Sequence, residues 1–211
     1  MRAAVAATIT SAPVIGVVRT DEYDRAAELA ASLIAGGIQL IEITFTVPRA
    51  PDLVRRLLAD RAGAGPPWIG MGTVTGRQRA ATAIAAGAEF VVSPNAESTV
   101  AEVASAAGRY LILGALTCTE IVAARDLGAD LVKVYPLPPV GGPQYLATVR
   151  QPLDDIPMLA AGGFGIDEIP AYRAAGATAF GLGAPLLGAG SEEAQARMAR
   201  ALALARGEAA S

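Results

Sequence analysis

The chain has 211 residues, 53% of them hydrophobic and 18% charged, enough apolar side chain for one sizeable core and a length common for one α/β barrel. A net charge of -3 leaves no basic footprint, which excludes nucleic acid as a partner, and no run of about 18 uninterrupted apolar residues exists, which excludes a membrane span. Cys118 is the only cysteine, so no intrachain disulfide or zinc cluster is expected and a cytoplasmic location fits.

The opening stretch, "MRAAVAATITSAPVIGVV", has the arginine and alanine-rich run of a secretory signal. Thr8, Thr10 and Ser11 break its apolar region, however, and cleavage near Ala12 would leave a strand at the new terminus, so the signal reading is rejected. A first strand is expected in "PVIGVV" (13–18), ending on Arg19, followed by a helix over "DEYDRAAELAASLIA" with Asp21 as its cap. Four later segments repeat one pattern: "IAGGIQLIEIT", "IAAGAEFVVSP", "RDLGADLVKVYP" and "RAAGATAFGLG". Each is an alanine-rich helical end, a glycine suited to the left-handed position that stops a helix, and an apolar run typical of a parallel strand covered on both faces. Strands at "WIGMG" (68–72), "YLILG" (110–114) and "PMLAAGG" (157–163) fill the gaps, and a last helix starts at a Ser191 cap. Gly63 to Pro67 reads as a loop feeding a strand, and "RGEAAS" at the end is expected to fray.

Eight strand and helix pairs, at a spacing of roughly 25 residues, predict a single α/β domain over 1–211: a compact (β/α)8 TIM barrel, with an open doubly wound sheet as the alternative. In such a barrel the chemistry sits where the strands end. Counting five residues on from Gly37, Gly128 and Gly176 gives Glu42, Lys133 and Gly181, which places Glu42 and Lys133 on one rim.

Lys133 is the only lysine among 17 basic residues, and it interrupts an apolar strand. It can be a snorkelling or ion-paired side chain, but it shares parity with Leu131 and Tyr135, which points all three to the sheet's inner side. Burial disfavours an ammonium, and a neutral amine is what attacks a ketone to form a Schiff base. Glu42, between isoleucines in "LIEITF", is either electrostatic support for a cation or a general acid and base; with no histidine in the chain, a carboxylate has to take that role. "GMGTVT" (70–75) offers backbone N–H groups and the Thr73 hydroxyl, and Arg19 can hold a carboxylate or phosphate. "AGGFG" (161–165) and "GLGAPL" (181–186) close the seventh and eighth strands, where barrels frequently bind phosphate on backbone donors. Pro94 shapes the rim, and Cys118, with no histidine to activate it, is read as structural.

These motifs, in order from "PVIGVVR" through "GMGTV", "FVVSPN", "LVKVYP" and "GGPQYL" to "GLGAPLLGAG", make the chain resemble the 2-keto-3-deoxy-6-phosphogluconate and 2-keto-3-deoxy-6-phosphogalactonate aldolases over nearly its whole length. The resemblance implies a class I aldolase that needs no cofactor and no metal. It makes Lys133 the imine-forming lysine, Glu42 the acid and base, and Thr73 part of the pyruvyl pocket, with Gly162, Gly163, Gly183 and Ala184 around the phosphate. The implied partner is a small 2-keto acid substrate, and the implied assembly is a homotrimer. Two positions depart from the pattern. Thr46 stands where gluconate-type members often carry an arginine four residues after the glutamate, so that "EITFTVPR" is closer to the galactonate-type "EIPLNSPQ", and Ala184 stands where the family has a serine. The alternatives are the same chemistry on an unphosphorylated acid such as 4-hydroxy-2-oxoglutarate, and a non-catalytic sugar-acid-binding barrel.

Overall fold

The computed structural model describes residues 1–61, 63, 65–187 and 191–208. In chain order the elements are α1 (Arg2–Ser11), β1 (Val14–Val18), α2 (Tyr23–Ala35), β2 (Leu40–Thr44), α3 (Ala50–Asp60), β3 (Trp68–Gly72), α4 (Arg77–Ala85), β4 (Phe90–Val92) and α5 (Ser98–Ala106). They continue with β5 (Tyr110–Ala115), α6 (Cys118–Asp126), β6 (Leu131–Val134), α7 (Gly142–Arg150), β7 (Met158–Ala160), α8 (Ile169–Ala174), β8 (Ala179–Gly183) and α9 (Ser191–Arg206). The strands are parallel and follow one another around a closed barrel, β8 returning to β1 through the pairs from Val14 and Phe180 to Val17 and Gly183. Closure excludes the open doubly wound sheet.

Strand residues alternate between two apolar layers, as the two-residue period of a strand requires. Ile41, Ile43, Val132, Val134 and Met158 face the helices, whereas Ile15, Leu40, Phe90, Ile112, Leu131 and Leu159 fill the barrel. Glu42 lies between Ile41 and Ile43, and Lys133 between Val132 and Val134, so the same alternation turns both charges inward.

The N-terminal segment is a helix, a feature its weak periodicity does not announce. Val5 and Ile9 of α1 pack on the barrel-filling residues at the strand starts, including Leu40, Trp68, Tyr110 and Leu131, and so close the N-terminal end of the barrel. The Trp68 indole N–H donates to Thr8 Oγ1 at 2.8 Å, and Arg2 pairs with Asp130 at 2.7 Å.

Three local expectations are corrected. The residue capping α2 is Glu22, not Asp21, and its side chain makes no cap hydrogen bond; instead the Glu22 N–H donates to Thr20 Oγ1 at 3.3 Å. β7 ends at Ala160, short of 163, because Gly162 and Gly163 turn the chain with φ of 135° and 93°. Cys118 is exposed at the start of α6 and fills no part of the core. The Ser191 side chain and the last three residues of "RGEAAS" lie outside the described residues, as do position 62 and position 64 within the expected loop at Gly63 to Pro67. Among the described residues no helix is long and apolar enough to cross a membrane.

Candidate active site

Glu42 and Lys133 sit on opposite walls of the barrel. Following the strand pairs from Glu42 leads through Gly70, Phe90 and Tyr110 to Ala129, four positions short of Lys133. The strands of a closed eight-stranded barrel slant by about one residue per strand, and over four strands that slant lifts Lys133 to the height of Glu42. Lys133 Nζ lies 3.7 Å from Glu42 Oε2. This is an ion-pair distance too long for a good hydrogen bond, so the amine is close to the acid without being locked to it.

Burial sharpens the picture. Glu42 is 1% exposed and Lys133 8%. The chain buries a second acid, Glu89, and the contrast is informative. Glu89 accepts two hydrogen bonds from the Arg61 guanidinium at 2.8 and 2.9 Å and one from the Ile69 N–H at 2.9 Å, a satisfied structural carboxylate. Glu42 Oε1 has no hydrogen-bond partner among the described residues. Buried polar atoms are nearly always paired, and one left open beside an amine is available to a ligand or a transferring proton. The carboxylate has room only because position 72 is glycine: a Cβ there would sit 1.9 Å from Oε1. Gly114, paired in register with Lys133, makes similar room for the β4 to β5 rim, since a Cβ there would lie 2.1 Å from the Pro94 carbonyl group.

A cavity of about 270 Å³ opens at this end of the barrel, lined by Val17, Arg19, Lys133, Tyr135, Ala161, Gly162, Gly163, Gly181, Gly183 and Pro185. An apolar hollow of about 340 Å³ between α2 and α3 contains neither buried amine nor Glu42 and includes no residue from the C-terminal ends of the strands. Of the residues singled out from sequence, Arg19, Lys133, Gly162, Gly163, Gly181 and Gly183 line the barrel cavity directly. Glu42 lies behind the amine. Thr73 joins through Arg19, whose Nη2 donates to its hydroxyl at 3.2 Å. Pro94 bears on Gly114 rather than on the cavity, and Ala184 is fully buried beside it. Thr46 donates its hydroxyl proton to Thr44 Oγ1 at 2.7 Å, because the Thr44 proton is already given to the Val18 carbonyl at 3.0 Å.

Sequence reasoning gave no role in the site to three residues. Tyr135 is 43% exposed with its ring centroid 5.6 Å from Lys133 Nζ, and its shared parity with Lys133 was the available signal. Pro185 follows Ala184 and lines the cavity. Arg79, an arginine among sixteen, donates to the Thr73 carbonyl at 3.0 Å, and nothing in its sequence context marks it.

Such a site places a buried amine, an open carboxylate and a guanidinium around a small cavity, an arrangement able to form an imine with a 2-keto acid and to move protons beside it. Comparison with known proteins agrees. A sequence model of the family described as KDPG and KHG aldolase matches residues 5–200. The chain is 30% identical over 205 residues to the 2-dehydro-3-deoxy-6-phosphogalactonate aldolase of Escherichia coli K12, covering 95% of this chain and 97% of that one. The solved structure of the 2-keto-3-deoxy-6-phosphogluconate aldolase of Zymomonas mobilis ZM4 with 3-phosphoglycerate superposes with a TM-score of 0.83 at 25% identity, over 100% of this chain and 99% of that one. A cube-shaped protein cage designed by fusing symmetric oligomeric domains matches with a TM-score of 0.80 at 27% identity, over 94% of this chain and 73% of that one.

Proposed function

Because the chain belongs to the KDPG and KHG aldolase family, whose members are class I Schiff-base lyases, we propose that Lys133 is its imine-forming residue and Glu42 its proton-transfer group. The substrate in this reading is a 2-keto-3-deoxy-6-phospho sugar acid. Neutral Lys133 Nζ attacks the C2 ketone. Glu42 protonates the leaving hydroxyl as the carbinolamine becomes an iminium ion, and its carboxylate then accepts the C4 hydroxyl proton. The C3–C4 bond breaks with its electron pair flowing into the iminium, which releases glyceraldehyde 3-phosphate and leaves a pyruvate enamine. Protonation at C3 and hydrolysis return pyruvate and the free lysine. Arg19, with Thr73 bound to it, faces the substrate carboxylate. Gly162, Gly163 and Gly183 offer backbone N–H groups to the far end of the substrate.

The observation that carries this reading is the buried amine 3.7 Å from a carboxylate, opening on a cavity shared with Arg19. The chain suits the test well, because Lys133 is its only lysine and competes solely with the N-terminal amine. Borohydride reduction with pyruvate, followed by mass spectrometry, should place one adduct on Lys133. Lys133→Ala and Lys133→Arg should lose it, the latter because a guanidinium stays protonated. An adduct that survives in either variant, or none in the parent protein, defeats the assignment.

A second reading, favoured by the buried Ala184 methyl and by Pro185, which has no N–H to offer, is the same cleavage of an unphosphorylated acid such as 4-hydroxy-2-oxoglutarate. The ratio of kcat/KM for phosphorylated and unphosphorylated substrates decides between the two. The match to a cage built from symmetric oligomeric domains supports an oligomer, which we propose is a homotrimer, to be read by light scattering as three times the 21.3 kDa chain mass. The single exposed cysteine is consistent with a cytoplasmic location, testable by cell fractionation.

A further inference from the structure

Thr73 is held in an unusual way. It directly follows β3 with φ of 59°, in the left-handed region that β-branched residues avoid because their side chain crowds the backbone. Backbone in such a state persists only where its surroundings hold it, and such positions cluster at functional sites. Two arginines grip Thr73 from opposite ends. Arg19 Nη2 donates to its hydroxyl at 3.2 Å from the cavity side. Arg79 Nη1 donates to its carbonyl at 3.0 Å and to Thr75 Oγ1 at 3.2 Å from the outside. Arg79 sits in the first turn of α4, is exposed, and lays its guanidinium over the Phe45 ring at 5.4 Å. Phe45 is itself tied to the end of β3, its N–H donating to the Gly72 carbonyl at 2.8 Å.

We propose that Arg79 is a positioning residue: by clamping the carbonyl of Thr73 it keeps that residue left-handed, so that the Thr73 hydroxyl meets Arg19 and Arg19 is presented to the substrate carboxylate. This inference rests on the aldolase reading above. Arg79 touches no substrate. Without the clamp Thr73 relaxes towards an extended backbone, its hydroxyl swings away, and Arg19 loses the contact that orients it. The carboxylate end of the cavity is weakened while the amine and acid, on β6 and β2, stay in place.

The test compares two ketones that form an imine with the same lysine: pyruvate, which carries a carboxylate, and hydroxyacetone, which does not. Cyanoborohydride trapping on Lys133 gives the half-saturating concentration of each. Arg79→Met keeps the apolar stem over Phe45 and removes only the donors, and Arg79→Ala is the second variant. In both, half-saturating pyruvate should rise about tenfold, the size expected for one lost charge-assisted contact, while hydroxyacetone should move by less than about twofold, and kcat should change less than KM. In a Thr73→Gly background, where the left-handed backbone carries no strain, adding Arg79→Met should change pyruvate by less than about twofold, because coupled residues are not additive. Equal rises for both ketones, unchanged pyruvate saturation, or full additivity with Thr73→Gly would overturn the assignment. Failure of the parent protein to trap pyruvate would instead sink the aldolase reading, so the two failures are distinguishable.

Discussion

Glu42 depends on what surrounds it. Its carboxylate occupies the volume a side chain at position 72 would need, with Oε1 1.9 Å and Cδ 2.4 Å from an added Cβ. Gly72→Ala should therefore push the acid away from Lys133 with both residues left unchanged in identity. Glu42→Gln keeps the shape and removes the proton acceptor. Both variants should lower kcat by a factor of about 10² to 10⁴, the usual contribution of a positioned acid or base, with little change in melting temperature for Glu42→Gln. A Gly72→Ala enzyme with full kcat would mean that the observed position of the carboxylate does not matter for turnover. The effect at Gly72 is not visible from sequence, where "GMG" looks like ordinary strand and turn chemistry.

Among the elements, α6 shows how local sequence and side-chain chemistry agree. Thr117 and Glu120 form a capping box: the Thr117 hydroxyl accepts from the Glu120 N–H, and the Glu120 carboxylate accepts from the N–H groups of Thr117 at 2.8 Å and Leu116 at 2.9 Å. These backbone donors, Thr117 first and then Leu116, hold the Glu120 carboxyl below the ordinary glutamate range. A folded-state value below the unfolded one stabilises the fold at pH above the unfolded value, about 4.3, and that contribution is lost as pH falls through the folded value. Glu120→Gln should thus cost up to about 1 kcal/mol at pH 7, kept small by solvent exposure, and the difference from the parent protein should vanish in urea titrations carried down through pH 4 to 3. A difference that stays constant over that window would show that the charge contributes nothing. The same α6 carries Cys118 at its first position, facing solvent, which the apolar run before it did not reveal.

At the scale of the whole molecule, α1 decides whether the barrel has a floor. Val5 and Ile9 are buried against the strand starts, and losing two such side chains from an apolar contact costs about 4 kcal/mol. Removing residues 1–11 should lower stability by roughly that amount in urea unfolding. Trp68, the only tryptophan, reports the same event directly: its indole N–H loses Thr8 and its emission should shift to the red. A truncated chain with unchanged stability and emission would mean that α1 is a passive passenger. The helix end of the chain joins the same region, Arg206 donating to the Ser11 carbonyl at 2.8 Å.

Sequence by itself determined the strand and helix alternation, the inward side of each strand and the two charges on it. Those features depend on a two-residue period and on which side chains are apolar, both local properties of the chain. "WIGMG" and "LVKV" became strands at their expected places, and Glu42 and Lys133 turned inward because their neighbours on either side turned out. Only the tertiary structure decided how close those charges come, because the 3.7 Å separation depends on the slant of a closed barrel summed over four strands. It also decided that α1 seals the floor and that Thr73 is gripped by Arg19 and Arg79. Each of these joins residues far apart in the chain or sets one backbone angle against its own preference, and neither leaves a period in the sequence.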